Sequence, residues 1–190
     1  MDTVSRVKTK FLAEQMTMPN WCSNRVTISG DAADVKAFKE AVKGYSSKFN
    51  NLFSFDAIIP FPDELHGIGS PVTIVDAEED IEKYKKDRSE SEFALGNLPI
   101  TKQRSHELIE KYGHNNWYDW CSDNWTCKWD ACEVRLEDYE ADYIVYTFDT
   151  AWGPPESIYE TLKLQHPDVH ISWFYDEPGM QFAGYLGETT

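Results

Sequence analysis

The C-terminal third of the chain alternates extended and helical patterns, and this alternation constrains the fold more than any other feature. The stretch "CEVRLEDYEADYIVYTFDTAW" begins with Cys132, Val134 and Leu136 on one face of a strand. An acidic turn follows, and a second strand is predicted from Tyr143 to Thr150. The pattern therefore predicts a β-hairpin.

A helix and two further strands are predicted after this hairpin. The stretch "GPPESIYETLKLQHP" has prolines where a helix begins and ends, with Ile158 and Leu162 on its apolar side. "DVHISWFY" then alternates apolar and polar residues, which is typical of a strand, and "EPGM" predicts a turn into a last strand, "QFAGYLG". The C-terminal part is predicted to be β-β-α-β-β.

The N-terminal part predicts a β-α-β opening. Val26 and Ile28 share one face of a strand in "NRVTISG", and Asp31 then precedes a helical pattern. Alternation in "NLFSFDAIIPFP" predicts a second strand, which Pro60 and Pro62 end.

Together the two ends predict a single α+β domain over residues 18–190, with an antiparallel ferredoxin-like sheet and helices on one of its faces. Residues from about 60 to 115 are predicted to be an insertion of loops and helix, including a helix in "TKQRSHELIEKYG". Residues 1–17 are polar and are predicted to form an N-terminal tail.

The charge of the chain argues against nucleic acid as a partner. Thirty-three acidic residues stand against eighteen basic ones, which gives a formal net charge of −15. From Asn115 onward fifteen acidic residues accompany the bases Lys128, Arg135 and Lys163. Such a surface repels phosphate backbones, so duplex binding is not expected and a basic partner is favoured.

Metal, cofactor and membrane sites are not predicted. No two of Cys22, Cys121, Cys127 and Cys132 show the two-residue spacing of a zinc or redox site, so free thiols in a reducing cytoplasm are expected. No glycine-rich phosphate loop is present, and no apolar segment is long enough to span a bilayer.

The stretch "NWYDWCSDNWTCKWDA" concentrates four tryptophans and three aspartates around one lysine. Tryptophan faces and carboxylates both attract cations, so one interpretation is a small-ligand pocket. The other is an aromatic core that fixes the insertion to the sheet. The pocket would be lined by Trp120, Trp125, Lys128, Trp129, Asp149, Trp152 and Glu177.

The acidic turn of the hairpin is the second candidate site. Spaced carboxylates on a rigid sheet can imitate a phosphate track and occupy a basic groove, although acidic turns also serve solubility alone. The predicted partner-binding residues are Glu133, Glu137, Asp138, Glu140 and Asp142. No catalytic residue is predicted. The favoured interpretation is a non-enzymatic interaction protein, and the alternative is that the pocket of tryptophans and carboxylates is a small-ligand-binding or enzymatic site.

Four stretches carry a resemblance to a known family: "MPNWCSNRVTI", "WYDWCSDNWTCKWDA", "FDTAWGPP" and "YDEPGMQFAG". They resemble the YubB ferredoxin-like family of phage and plasmid proteins, and the likeness covers nearly all of residues 18–190. Members of that family begin at the methionine of "MPNW", which is Met18 here. The resemblance implies a ferredoxin-like C-terminal domain and a mobile-element origin in a bacterial cytoplasm, but no reaction. The predicted partner is a basic host protein of defence or DNA processing.

Overall fold

A computed structural model describes residues 19–46, 49–86 and 98–187 of the protein. The predicted tail, residues 1–17, lies outside the described residues. Within them, residues 62–120 form one compact unit, the smaller unit, and residues 20–61 and 121–187 form the larger unit. In the part of the chain that is described, no helix has the length and apolar character that crossing a bilayer requires.

Among the described residues the larger unit contains ten elements and the smaller unit five, and one further helix begins in the smaller unit and ends in the larger. In chain order the first elements of the larger unit are β1 (Trp21–Gly30), α1 (Ala32–Ala41), β2 (Gly44–Ser46), β3 (Phe49–Asn51) and α2 (Phe55–Ile58). The smaller unit contains a 3-10 turn (Asp63–Leu65), β4 (Ile74–Val75), α3 (Glu78–Lys86), β5 (Ile100–Thr101) and α4 (Lys102–Tyr112). Helix α5 (Trp117–Asn124) leads into β6 (Cys132–Tyr139), β7 (Tyr143–Ala151), α6 (Glu156–Gln165), β8 (Val169–Glu177) and β9 (Phe182–Tyr185).

Five of these strands form one antiparallel sheet in the order β6-β7-β1-β8-β9. Alternate residues of its strands point to the inner face, where Val26, Ile144 and Trp173 are fully buried. Helix α1 packs against this sheet at β1 and β7, and Tyr159 of α6 meets Trp173 edge to face with ring centroids 6.1 Å apart. An α+β fold with an antiparallel sheet is thus confirmed, as are the predicted hairpin and the helix that follows it.

The strand predicted for "NLFSFDAIIPFP" is wrong. Only β3 at its start is extended, and Phe55–Ile58 form a short helix. The apolar alternation arose because Phe53 and Phe55 enter the core from a bend and a helical turn, with Phe53 stacked on Phe148 at 5.1 Å between centroids. The chain therefore opens with β-α and a separate two-stranded hairpin, β2-β3, in place of β-α-β.

The smaller unit contains the predicted helix of "TKQRSHELIEKYG", which is confirmed as α4. The hydroxyl of Thr101 accepts the backbone N–H of Arg104 at 3.2 Å and caps the helix start. Gly113 ends the helix in the left-handed conformation, at φ 79°, which glycine adopts without steric cost. Leu65 and Leu108 are fully buried in this unit.

Glu64 forms ion pairs with two basic residues of the smaller unit. Its carboxylate accepts hydrogen bonds from Arg104 at 3.0 Å and Lys111 at 2.7 Å, and also from the Tyr112 hydroxyl. Lys111, Tyr112 and Arg104, in that order of effect, lower the pKa of Glu64 to about 2. A carboxyl whose pKa is lowered by folding stabilises the fold above its unfolded pKa and loses that contribution as the pH falls.

We expect Glu64→Gln to lower the melting temperature near pH 7, because the glutamine side chain cannot pair with the two cations. The deficit should shrink as the pH falls from about 4.5 towards about 2, where wild-type Glu64 itself becomes protonated. Thermal melts across this pH range measure the effect. Glu82→Gln, which breaks the exposed pair with Lys85, is the control and should show a smaller deficit at every pH.

A polar network lies within the inner face of the larger unit. Asn24, which is only 2% exposed, donates to the Thr150 hydroxyl at 2.8 Å and accepts the indole N–H of Trp173 at 3.0 Å. Thr150 donates in turn to the Gly153 carbonyl at 2.8 Å. These bonds connect β1 with its neighbours β7 and β8 and with the loop after β7.

Replacing Asn24 by Ala leaves the Trp173 N–H buried without its partner, and the Thr150 hydroxyl loses one bond while it keeps that to the Gly153 carbonyl. Because unsatisfied buried polar groups are costly, Asn24→Ala should reduce the free energy of unfolding by about 3 kcal/mol. Urea denaturation measures this change. Ser23→Ala, at the exposed neighbouring position, should change stability by less than about 0.5 kcal/mol, and equal losses for the two variants would contradict the role of the network.

Candidate functional site

The five carboxylates predicted to bind a partner lie on the hairpin of β6 and β7, here called the acidic hairpin. All five residues are exposed, and β6 is an edge strand of the sheet. The acidic hairpin comprises Glu133, Glu137, Asp138, Glu140 and Asp142. An edge strand leaves one row of backbone groups unpaired within the sheet, so this region can be approached from the side as well as from its face.

Hydrogen bonds within the acidic hairpin order two of its carboxylates. Glu137 accepts the Thr147 hydroxyl at 2.8 Å. Asp138 accepts the backbone N–H of Tyr139 at 2.8 Å and the hydroxyl of Tyr143. The pKa of Tyr143 is raised, and the hydrogen bond to Asp138 makes the largest contribution to this shift. These contacts hold negative charge at fixed positions, which lowers the entropy lost when a cationic partner binds.

Two tryptophans of the predicted ligand pocket are buried. Trp125 is 5% exposed, its indole N–H donates to the Ile59 carbonyl at 2.9 Å, and its ring meets Phe55 at 5.9 Å. Trp120, on α5, is 6% exposed. Such burial and hydrogen bonding favour the interpretation that these rings stabilise the fold.

Asp130 anchors the same segment. Its carboxylate accepts the Ser54 hydroxyl and the backbone N–H of Phe55, both at 2.6 Å, and the N–H of Ala131 at 2.7 Å. Burial raises the pKa of Asp130, and the hydrogen bonds oppose this effect. The side chain thus connects the start of α2 to the loop before β6.

We expect Asp130→Ala to lower the free energy of unfolding by about 2 kcal/mol or more, because three donors lose their acceptor. Denaturant titration followed by tryptophan fluorescence measures the loss. The control is Glu160→Ala on the exposed side of α6, which removes a carboxylate that makes no hydrogen bond or ion pair among the described residues. A comparable loss in the control would show that net charge, not anchoring, sets the stability.

The remaining aromatic candidates lie nearer the surface. Trp129 is half-buried, with the ammonium nitrogen of Lys128 at 4.3 Å from its ring centroid and the ring of Trp21 at 6.2 Å. Trp152 is 45% exposed, and its backbone N–H donates to the Asn20 carbonyl at 2.9 Å. Its φ of 74° is strained for a residue with a side chain.

The two carboxylates predicted as polar anchors lie on opposite faces of the sheet. Glu177 is fully buried, and one oxygen accepts the N–H of Met180 in the turn before β9, while the other has no hydrogen-bond partner among the described residues. Asp149 lies on the other face, the outer face, and accepts the Ser23 hydroxyl at 3.1 Å. The structure therefore does not bring these two predicted residues together.

The outer face contains a depression of about 480 Å³, which the sequence did not reveal. Arg25, Thr147 and Phe174 are cross-strand neighbours in one row of it, and Ser23 lies between Asp149 and Asp176 in the next. Its full lining is Ser23, Asn24, Arg25, Glu133, Arg135, Thr147, Phe148, Asp149, Phe174 and Asp176. The sequence does indicate which residues lie on the outer face, because these polar residues alternate with the apolar residues of the inner face. The order of the strands, which the sequence does not show, brings them together in one depression.

The four cysteines are free thiols, and burial disfavours their charged form. Burial raises the pKa of Cys121 to about 12 and that of Cys22 and Cys132 to about 11, so the thiols stay protonated near neutral pH. Burial also raises the pKa of Cys127. In the described ranges no group of three or more His, Cys, Asp or Glu side chains could hold a metal ion.

Comparisons with known proteins identify a distant structural likeness. No protein-family model matches the chain, and no curated protein matches it. The chain is similar to the crystal structure of protein api92 from Yersinia pseudotuberculosis, which carries the family-model description DUF1281. The identity is 13% and the TM-score 0.46, over 88% of this chain and 93% of that one. A likeness at this level supports no argument about fold or function.

Proposed function

We propose that the protein is a non-enzymatic interaction protein that binds a basic partner through the acidic hairpin. The observation that carries this proposal is the exposure of all five carboxylates on one edge hairpin of a rigid sheet. Complementary charge raises association rates and selects against acidic competitors. The burial of Trp120, Trp125 and Glu177 favours this function over the predicted ligand pocket.

Further parts of the proposal concern origin and topology. The resemblance to the YubB family supports a phage or plasmid protein in a bacterial cytoplasm, with a basic host protein of defence or DNA processing as the partner. A ferredoxin-like arrangement is supported by the chain order β1-α1-β6-β7-α6-β8 and by the position of β1 between β7 and β8. Strand β9 extends this sheet beyond the four-stranded pattern.

The proposal predicts that binding depends on charge at the acidic hairpin. The triple variant Glu137→Lys, Glu140→Lys and Asp142→Lys should weaken partner binding at least about tenfold, because each reversal replaces attraction by repulsion. The measurement is capture of partners from nuclease-treated bacterial lysate, with elution by rising salt, followed by binding titration of the purified partner. Wild-type binding should weaken steeply with salt, since exposed charges are screened.

A matched control separates local from overall charge. The variant Glu110→Lys, Glu160→Lys and Asp168→Lys changes the net charge equally at exposed positions outside the acidic hairpin and should retain most of the binding. Equal weakening in the two variants would overturn the assignment of the hairpin as the binding surface. A captured partner with an acidic surface would overturn the proposed chemistry.

A further inference from the structure

The positive charge in the depression on the outer face comes from two arginines. In the described part of the larger unit the arginines are Arg25 and Arg135, and both line the depression. Both are exposed, and neither forms a salt bridge with a described residue. In a strongly acidic chain, the placement of both guanidinium groups in one concave site indicates a function for their charge.

The sheet register places the two arginines in one row. Arg25 on β1 and Arg135 on β6 are both cross-strand partners of Thr147, on the β7 strand between them. Strand spacing separates their Cα atoms by about 10 Å, and their long side chains can both reach one anionic group in the depression, beside the Thr147 hydroxyl that donates to Glu137. Guanidinium groups bind carboxylates through paired hydrogen bonds.

Two carboxylates form the neighbouring row. Asp149 on β7 and Asp176 on β8 are both cross-strand partners of Ser23 on β1. Ser23 donates to Asp149, whereas Asp176 has no side-chain hydrogen bond or ion pair among the described residues. Two residues along β1 separate this row from the arginine row, a distance of about 7 Å. An ammonium group above Ser23 would lie between the two carboxylates.

An aromatic surface lies beside both rows. Phe174 is the cross-strand partner of Arg25 on β8, and it is half-buried. The ring of Tyr185 on β9 holds it in place, with centroids 5.3 Å apart. A ring with one exposed side offers a stacking surface for a flat apolar group.

The balance of charge in the depression decides the class of ligand. The depression contains two arginines and the three carboxylates of Glu133, Asp149 and Asp176. An anion such as phosphate would be repelled by the three carboxylates, and a simple cation would be repelled by the two guanidinium groups. A dipolar molecule satisfies both rows. The volume of about 480 Å³ lies within the range of small-molecule sites.

We propose that the outer-face depression binds a zwitterionic small molecule of the aromatic amino-acid class. Its ammonium group lies between Asp149 and Asp176, its carboxylate contacts Arg25 and Arg135, and its ring stacks on Phe174. This site lies on the face of the sheet and is a function additional to partner binding by the acidic hairpin, with which it shares Glu133.

Isothermal titration calorimetry with three related compounds tests the charge requirement. L-tryptophan carries both charges, tryptamine lacks the carboxylate, and indole-3-propionate lacks the amine. We expect saturable binding of L-tryptophan in the millimolar range or tighter, and at least about tenfold weaker binding of each of the others, because each loses one charge-assisted contact.

Two substitutions should distinguish the contribution of the arginine row to binding from that of the carboxylate row. Arg25→Gln should weaken L-tryptophan and indole-3-propionate but leave tryptamine unchanged, whereas Asp176→Asn should weaken L-tryptophan and tryptamine alone. Both positions are exposed, so the variants are expected to fold, which circular dichroism verifies. Lys36→Gln, which removes a charge from the exposed side of α1, is the control and should bind as the wild type does.

Three results would overturn the proposal. One is the absence of saturable binding of L-tryptophan at about 10 mM. Another is equal affinity for tryptamine and L-tryptophan, since this would exclude a contribution of the arginine row. The third is binding that both substitutions leave unchanged, which would place the ligand elsewhere on the protein.

Discussion

The hydrogen bonds of Asn24 fix the arrangement on which both faces of the main sheet depend. A single amide joins β1 to Thr150 on β7 and to Trp173 on β8, inside a core filled mainly by apolar and aromatic side chains. Because a shift of one residue in strand pairing would bury other side chains and leave this amide unsatisfied, the network specifies the register. The same register sets which polar residues meet on the outer face.

The two faces of the sheet carry different kinds of side chain, packed rings on one and exposed charged groups on the other. On the inner face, rings such as Phe53, Phe148 and Trp173 pack edge to face or stacked, and such packing of buried rings stabilises the fold. On the outer face, Arg25 and Asp176 stay in water and carry charges that the described residues do not neutralise. The packing on one side thus fixes the backbone positions from which the ionic side chains on the other side project.

The proposed binding surfaces differ in what each can recognise. The acidic hairpin presents five exposed carboxylates along one edge of the sheet, and it suits the broad basic surface of a macromolecule. The depression holds both signs within about 7 Å and suits a small dipolar ligand. The tryptophan segment serves a different purpose, since the hydrogen bonds of Trp125 and Asp130 connect it to the first residues of α2 and to the chain just after that helix.

By itself the sequence determined the antiparallel hairpin of β6 and β7, the helices α1, α4 and α6, and the inner-facing residues Val26, Ile28 and Ile158. These features depend on local periodicity and on end signals such as Pro154 and Pro167, which act over a few residues. Only the tertiary structure decided that Phe53 and Phe55 enter the core from a bend and a helical turn, and that Arg25, Asp149 and Asp176 meet on one face. Outside the hairpin of β6 and β7, strand order and register result from the packing of distant segments, and no local pattern in the chain encodes that β1 lies between β7 and β8.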